Sequence, residues 1–189
     1  MLDDVREADW SPDGSQLAVI RDVNGKDRLE FPIDSVRYQS GGYLSDLRVS
    51  PDGKRVAFAE HPTRFDDRGT IDVVDRAGKR TVLTADFGAI EGLAWSPQGD
   101  EVAFSASDGG PYIVHVVSLG GRVRVALPGP GTLTTQDISH SDRLLLTRDD
   151  QPAHLMVRAP GAAQDRDESW LDGSVSPKLS HDGRLLTFS

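Results

Sequence analysis

Residues 49–58 read Val49-Ser50-Pro51-Asp52-Gly53-Lys54-Arg55-Val56-Ala57-Phe58, and two further stretches repeat this phrase closely. They are "WSPDGSQLAV" from Trp10 and "WSPQGDEVAF" from Trp95. Weaker copies bring the total to five, with serines at Ser11, Ser50, Ser96, Ser139 and Ser180, spaced by 39, 46, 43 and 41 residues. The residue before each serine is large and apolar: Trp10, Val49, Trp95, Ile138 and Leu179. The sixth residue after it is aliphatic: Leu17, Val56, Val102, Leu145 and Leu186. The eighth is Val19, Phe58, Phe104, Thr147 and Phe188. Self-similarity at about 40–45 residues is the period of a four-stranded propeller blade.

The phrase has the chemistry of a tight hairpin. Proline presets φ at about −65°, Asp bonds back to the local backbone, and glycine supplies a positive φ. The fourth and fifth copies carry His140 and His181 in place of proline, and the fourth has Asp142 where the glycine falls. Asp tolerates the left-handed region better than most residues, so that turn is expected to survive with some strain.

Four strands follow from each phrase. In the second copy they are 46–50, 55–60, "TIDVVD" at 70–75, and "RTVLT" at 80–84 after an Ala77-Gly78 turn. The third copy repeats the order, with a Gly120-Gly121 turn, and the first has an Asn24-Gly25 turn. The second strands are nearly continuous apolar runs, as befits strands covered on both faces. No segment has helical periodicity. The expected fold is all-β: a partial β-propeller of four-stranded antiparallel blades, about four and a half of them, in an open ring. The blades are placed at 5–40, 46–84, 91–127 and 132–170, with a half-blade at 175–189, all in one propeller segment of a longer ring.

The phrase resembles the TolB-like, WD40-like propeller repeats of bacteria, whose hallmark is W-S-P-D-G-x-x-I-A-F. "RLEFPI", "DLRVSPDGKRVAFAEHP", "GTIDVVDRAGKR" and "EGLAWSP" further resemble propeller modules attached to bacterial receptor-type serine/threonine kinases. The resemblance implies a recognition or scaffold module that binds a protein or small ligand. Related propellers gate serine oligopeptidases or bind periplasmic partners, and both remain alternatives. A receptor-type or TolB-like parent implies an extracytoplasmic setting.

Composition narrows the partners. The 189 residues are 37% hydrophobic and 27% charged, with a formal charge of −9. An acidic surface without a basic patch argues against nucleic acid. No apolar run reaches the ~20 residues of a membrane span, and the acidic start, MLDDVREADW, is no signal peptide. The absence of cysteine removes disulfides and thiolate chemistry. Open propeller ends expose apolar blade faces, so self-association through them is expected.

No catalytic residue, metal or cofactor is expected. Asp86-Phe87-Gly88 matches the magnesium-binding tripeptide of kinases but lacks the accompanying catalytic and glycine-rich loops, so it reads as a blade-to-blade link. No G-x-S-x-G frames a nucleophilic serine. Of five histidines, His140 and His181 read as turn residues and His115 as a packed core or cleft residue. Gly129-Pro130-Gly131 is no phosphate cradle, and Asp66-Asp67, Asp149-Asp150 and Asp165/Asp167 miss calcium-loop spacing.

Strand direction gives the one pointer to a site. Links between strands two and three share a face with the links between blades, and that face collects the long segments 39–44, 60–69, 107–111 and 169–173. Tyr43, Arg64, Phe65 and Trp170 are the recognition candidates there. The plain alternative for each is ordinary packing at a blade edge.

Overall fold

A computed structural model describes residues 3–129, 131–149, 154–169 and 176–188. Every element among them is a strand, and no helix long and apolar enough to cross a membrane occurs. The chain divides into two compact units, 1–148 and 149–189.

The first unit contains three four-stranded antiparallel sheets, each strand pairing with the next in sequence. Blade 1 is β1 (Val5–Trp10), β2 (Leu17–Val23), β3 (Lys26–Glu30) and β4 (Val36–Gln39). Blade 2 is β5 (Tyr43–Val49), β6 (Arg55–His61), β7 (Thr70–Asp75) and β8 (Arg80–Val82). Blade 3 is β9 (Ala89–Trp95), β10 (Glu101–Ser107), β11 (Ile113–Ser118) and β12 (Val123–Leu127). A fourth sheet pairs β13 (Thr132–Ile138) with β14 (Leu144–Asp149). The second unit has two short hairpins: β15 (Met156–Val157) with β16 (Arg166–Asp167), and β17 (Lys178–Leu179) with β18 (Leu186–Thr187). β15 and β16 are each two residues long and pair only with each other.

The repeated phrase is a hairpin built the same way in four of its five copies. Ser11 N–H donates to Gln16 O, Gly14 N–H to Ser11 O, and Gln16 N–H to the Ser11 hydroxyl. Ser50, with Arg55 and Gly53, repeats all three bonds, as does Ser180 with Leu185 and Gly183. The serine hydroxyl donates to the turn aspartate, at 2.6 Å for Ser11–Asp13 and 2.7 Å for Ser50–Asp52. That bond and the Ser15 N–H hold the exposed Asp13 carboxyl down at about 2. Gly14, Gly53, Gly99 and Gly183 all have positive φ, and Asp142 takes the same region at +62°. The fourth turn is one residue shorter than expected, because Ser139 N–H reaches Arg143 O instead of the fifth residue on. β14 therefore starts at Leu144, and Leu144, not Leu145, occupies the position equivalent to Leu17, Val56 and Val102. The other hairpin of blade 1 closes through Asn24 and Gly25, both at positive φ, as a two-residue turn demands.

Blade-on-blade packing makes the core. Ala18, Ile20, Leu29 and Phe31 of blade 1 meet Leu44, Leu47, Val56, Phe58 and Val74 of blade 2. Ala57, Ala59, Ile71 and Val73 of blade 2 meet Leu93, Trp95, Val102, Phe104 and Val117 of blade 3. Alternation along β6 explains this: Val56 and Phe58 face one neighbour, Ala57 and Ala59 the other. The alanine of each phrase is small so that the next blade's bulky side chains can enter. Burying each large side chain contributes about 1.5–3 kcal/mol. The turns also gather on one side in this unit. The position of a side-chain carbon on Gly53 lies 3.5 Å from Pro12 Cδ, and that on Gly99 lies 3.4 Å from Pro51 Cδ.

The innermost strands carry a device with no counterpart in the turn phrase. β1, β5 and β9 each contain an irregular register, and at Asp46 and Gly92 the backbone turns to positive φ. Such a bulge takes an amide out of its own ladder. The Glu7 carboxylate accepts Leu47 N–H at 2.9 Å, and Asp46 accepts Gly92 N–H at 3.0 Å. Between blade 3 and β13, Thr135 N–H donates to the Ser105 hydroxyl at 2.9 Å.

Candidate functional site

The strand ends opposite the serine turns carry a cluster formed jointly by blades 1 and 2. At its base lies Asp27 of β3, wholly buried. Its carboxylate accepts Leu44 N–H at 2.8 Å, pairs with the Arg6 guanidinium, and receives Arg64 at 3.3 Å. Arg64 reaches across from the β6–β7 link to Asp22 as well, at 2.7 Å. Two cations and two carboxylates thus clamp the first blade's β2–β3 turn to the second blade's longest link. Buried carboxylates need such partners, since leaving one unpaired costs several kcal/mol.

Aromatic rings lie over this base. Arg6 Cζ sits 4.3 Å from the centre of the Tyr43 ring. Tyr43 stands 5.5 Å from the His61 ring and 5.9 Å from Phe65. The His61 nitrogens lie 2.8 Å from the Arg68 carbonyl and 2.8 Å from the Ser45 hydroxyl. Ser45 and His61 therefore have the separation of a nucleophile and its base. However, the Ser45 hydroxyl also directs a bond to Asp46 at 2.8 Å, and His61 is buried, so the pair works as a strut between β5 and β6. Phe65 is 83% exposed and has φ +64°. A bulky residue in that region is strained, and strain concentrates at functional sites. Asp66 locks the loop beside it: Arg68 donates both its N–H and its guanidinium to Asp66, holding that carboxyl at about 2.

Of the four candidates from sequence, Tyr43, Arg64 and Phe65 share this cluster; Trp170 lies outside the described residues. Arg64 is committed to Asp22 and Asp27, so it braces the platform, and Phe65 and Tyr43 are what the platform presents. Sequence reasoning missed Arg6, Asp22 and Asp27, which sit on β1, β2 and β3, strands read only as blade structure. Asp86-Phe87-Gly88 does lie in the link before blade 3, with Phe87 and Gly69 exchanging backbone bonds. His115 is half-buried and stacked on Phe104. Among the described residues no group of three or more His, Asp or Glu side chains is placed to hold a metal.

Searches for a matching family model and for curated relatives find none. Solved structures do match. TolB from Acinetobacter baumannii superposes with a TM-score of 0.59 at 18% identity, over 96% of this chain and 47% of that one. A putative TolB from Agrobacterium tumefaciens gives 0.62 at 20% identity, over 97% and 64%. A puromycin-hydrolysing peptidase of Mycobacterium tuberculosis gives 0.59 at 15% identity, over 90% and 32%. The fold is thus that of a TolB-like β-propeller, built of four-stranded antiparallel blades. The chain spans less than two thirds of the length of either TolB structure.

Proposed function

We propose that this chain is a non-catalytic recognition segment of a larger bacterial signalling protein, binding a protein partner through the loop face of blades 1 and 2. The observation that carries this reading is Phe65: a large ring, almost wholly in solvent, on a strained backbone above a buried ionic platform. Folding gains little from that arrangement, since the ring's aromatic contact is with Tyr43 and most of its surface stays in solvent. Binding gains more, because rigid aromatic anchors lose little entropy on contact and dominate interface energetics. The neighbouring Tyr43 ring extends the shelf, with Arg64 before Phe65 and Asp66 after it in sequence.

The test places a photo-crosslinking benzoylphenylalanine at position 65, or at Lys54 on the turn face, of the full gene product in its native cells. Discrete adducts from position 65, absent at Lys54, are the expected result. Adducts from Lys54 alone, or none from 65, would remove the reading. The likeness to a peptidase's propeller favours a second reading, in which these blades flank a hydrolase domain. Cleavage of chromogenic peptides by the full gene product would support it.

A further inference from the structure

Blade 3 presents a second feature on the same set of strand ends, distinct from the Tyr43–Phe65 shelf. A hollow of about 470 Å³ opens between the Phe87 link and the β10–β11 loop. Its floor is aromatic. The His115 ring lies 5.4 Å from the fully buried Phe104 ring and nearly parallel to it, at 20°. Phe87 stands 5.2 Å from His115 at 55°. The lip is preorganised: the Ser107 hydroxyl donates to Gly110 O at 2.6 Å and accepts Gly110 N–H at 3.0 Å. Asp108 on that lip accepts Gly88 N–H at 2.8 Å, tying the lip to the Phe87 link. Side-chain carbons added at Gly109 or Gly110 would meet nothing within 4 Å, so the entrance is open.

The surroundings are acidic. Asp67, Asp86 and Asp108 are exposed, and the nearby Arg68 is already paired with Asp66 at 2.7 Å. Burial, and then the neighbouring carboxylates of Asp67 and Glu91, push the phenol of Tyr112 up.

Elsewhere this protein fills the same combination of ring and carboxylate with its own arginine. Arg6 covers Tyr43 while pairing with Asp27, and Arg80 covers Tyr38 at 4.8 Å while pairing with Asp72. Among the described residues, no arginine of blades 1 to 3 lies over Phe87. We infer that the hollow at Phe87, His115 and Asp108 receives an arginine side chain from a basic peptide segment of a partner. A planar guanidinium stacks on a ring and meets a carboxylate edge-on, which a lysine ammonium does not reproduce.

The inference goes beyond the shelf and does not depend on it. The test titrates the full chain with the pentapeptide acetyl-Gly-Gly-Arg-Gly-Gly-amide and follows the His115 ring protons by NMR. Parallel titrations use the same peptide with citrulline or with lysine at the centre. The arginine peptide is expected to shift those resonances saturably, with the citrulline peptide about tenfold weaker. Asp108→Asn, which keeps an acceptor for Gly88, should weaken the arginine peptide about fivefold or more. No shift, an equal response to citrulline or lysine, or an unchanged affinity in Asp108→Asn would overturn the proposal. The comparison of peptides on the unaltered protein stands even if a variant fails to fold.

Discussion

Glu7 in the first strand of blade 1 accepts the backbone N–H of Leu47 in the first strand of blade 2, at 2.9 Å. Burial at this seam raises the Glu7 carboxyl above its ordinary value, against the lowering effect of the Leu47 bond. A folded-state value above the unfolded one means the fold holds the proton longer. Stability from this group is then greatest at low pH and declines as pH rises through the raised value. Glu7→Gln keeps an acceptor and removes the charge. It should be at least as stable as the parent at pH 7, with the advantage shrinking as pH falls towards 4. Denaturant midpoints of the two proteins across pH measure this. Asp13 and Asp66, both held at about 2, have the opposite dependence but are common to both proteins and cancel. A gap independent of pH would contradict the assignment.

Gly92 and Gly53 both have positive φ but differ in surroundings. A methyl at Gly53 would touch Pro12 Cδ at an ordinary 3.5 Å, whereas one at Gly92 would collide with the Thr135 carbonyl. Gly53→Ala should cost about 1 kcal/mol from backbone strain, and the bulkier Gly53→Val somewhat more. Gly92→Ala should cost about 3 kcal/mol or more, because β9 and β13 must separate. Equal losses at Gly53 and Gly92 would argue against the close approach of β9 and β13.

The contrast shows what the chain discloses by itself. The serine turns were legible because all their bonds are local: Ser11, Asp13, Gly14 and Gln16 sit within six residues. The carboxylate-to-amide links were not, because each partner lies in another blade and the residue four before each serine reads Glu7, Asp46, Gly92 and Thr135. The shorter fourth turn hid for a related reason, since Leu144 and Leu145 satisfy the apolar pattern equally well. At the loop face, Tyr43 and Phe65 stood out as aromatics in long links. Asp27 did not, since an acid following a hairpin turn looks solvated until Arg6 and Arg64 close over it.

Asp27 is the residue the ionic platform depends on most. Asp27→Asn leaves Arg6 and Arg64 without their shared counter-charge and should destabilise the protein by about 3 kcal/mol. Arg64→Ala, at a partly exposed position, should cost clearly less. Chemical denaturation of both variants checks the ranking; a reversed order would relocate the anchor to Arg64.

Phe65 should be dispensable for folding. Asn accepts the left-handed backbone region more readily, so Phe65→Asn should hold or raise the melting midpoint, by up to about 1 kcal/mol of stability. Loss of stability in Phe65→Asn would mean the ring is packing, not presenting.

The stacking of the blades, with their serine turns on one side, has a direct solution test. Proton NMR should show through-space contacts between Pro12 Hδ and Gly53 Hα, and between Pro51 Hδ and Gly99 Hα, residues 41 and 48 apart in sequence. Seeing both confirms that neighbouring turns abut across blades. Their absence, in spectra where contacts within each hairpin are clear, would contradict the propeller arrangement on which the rest is built.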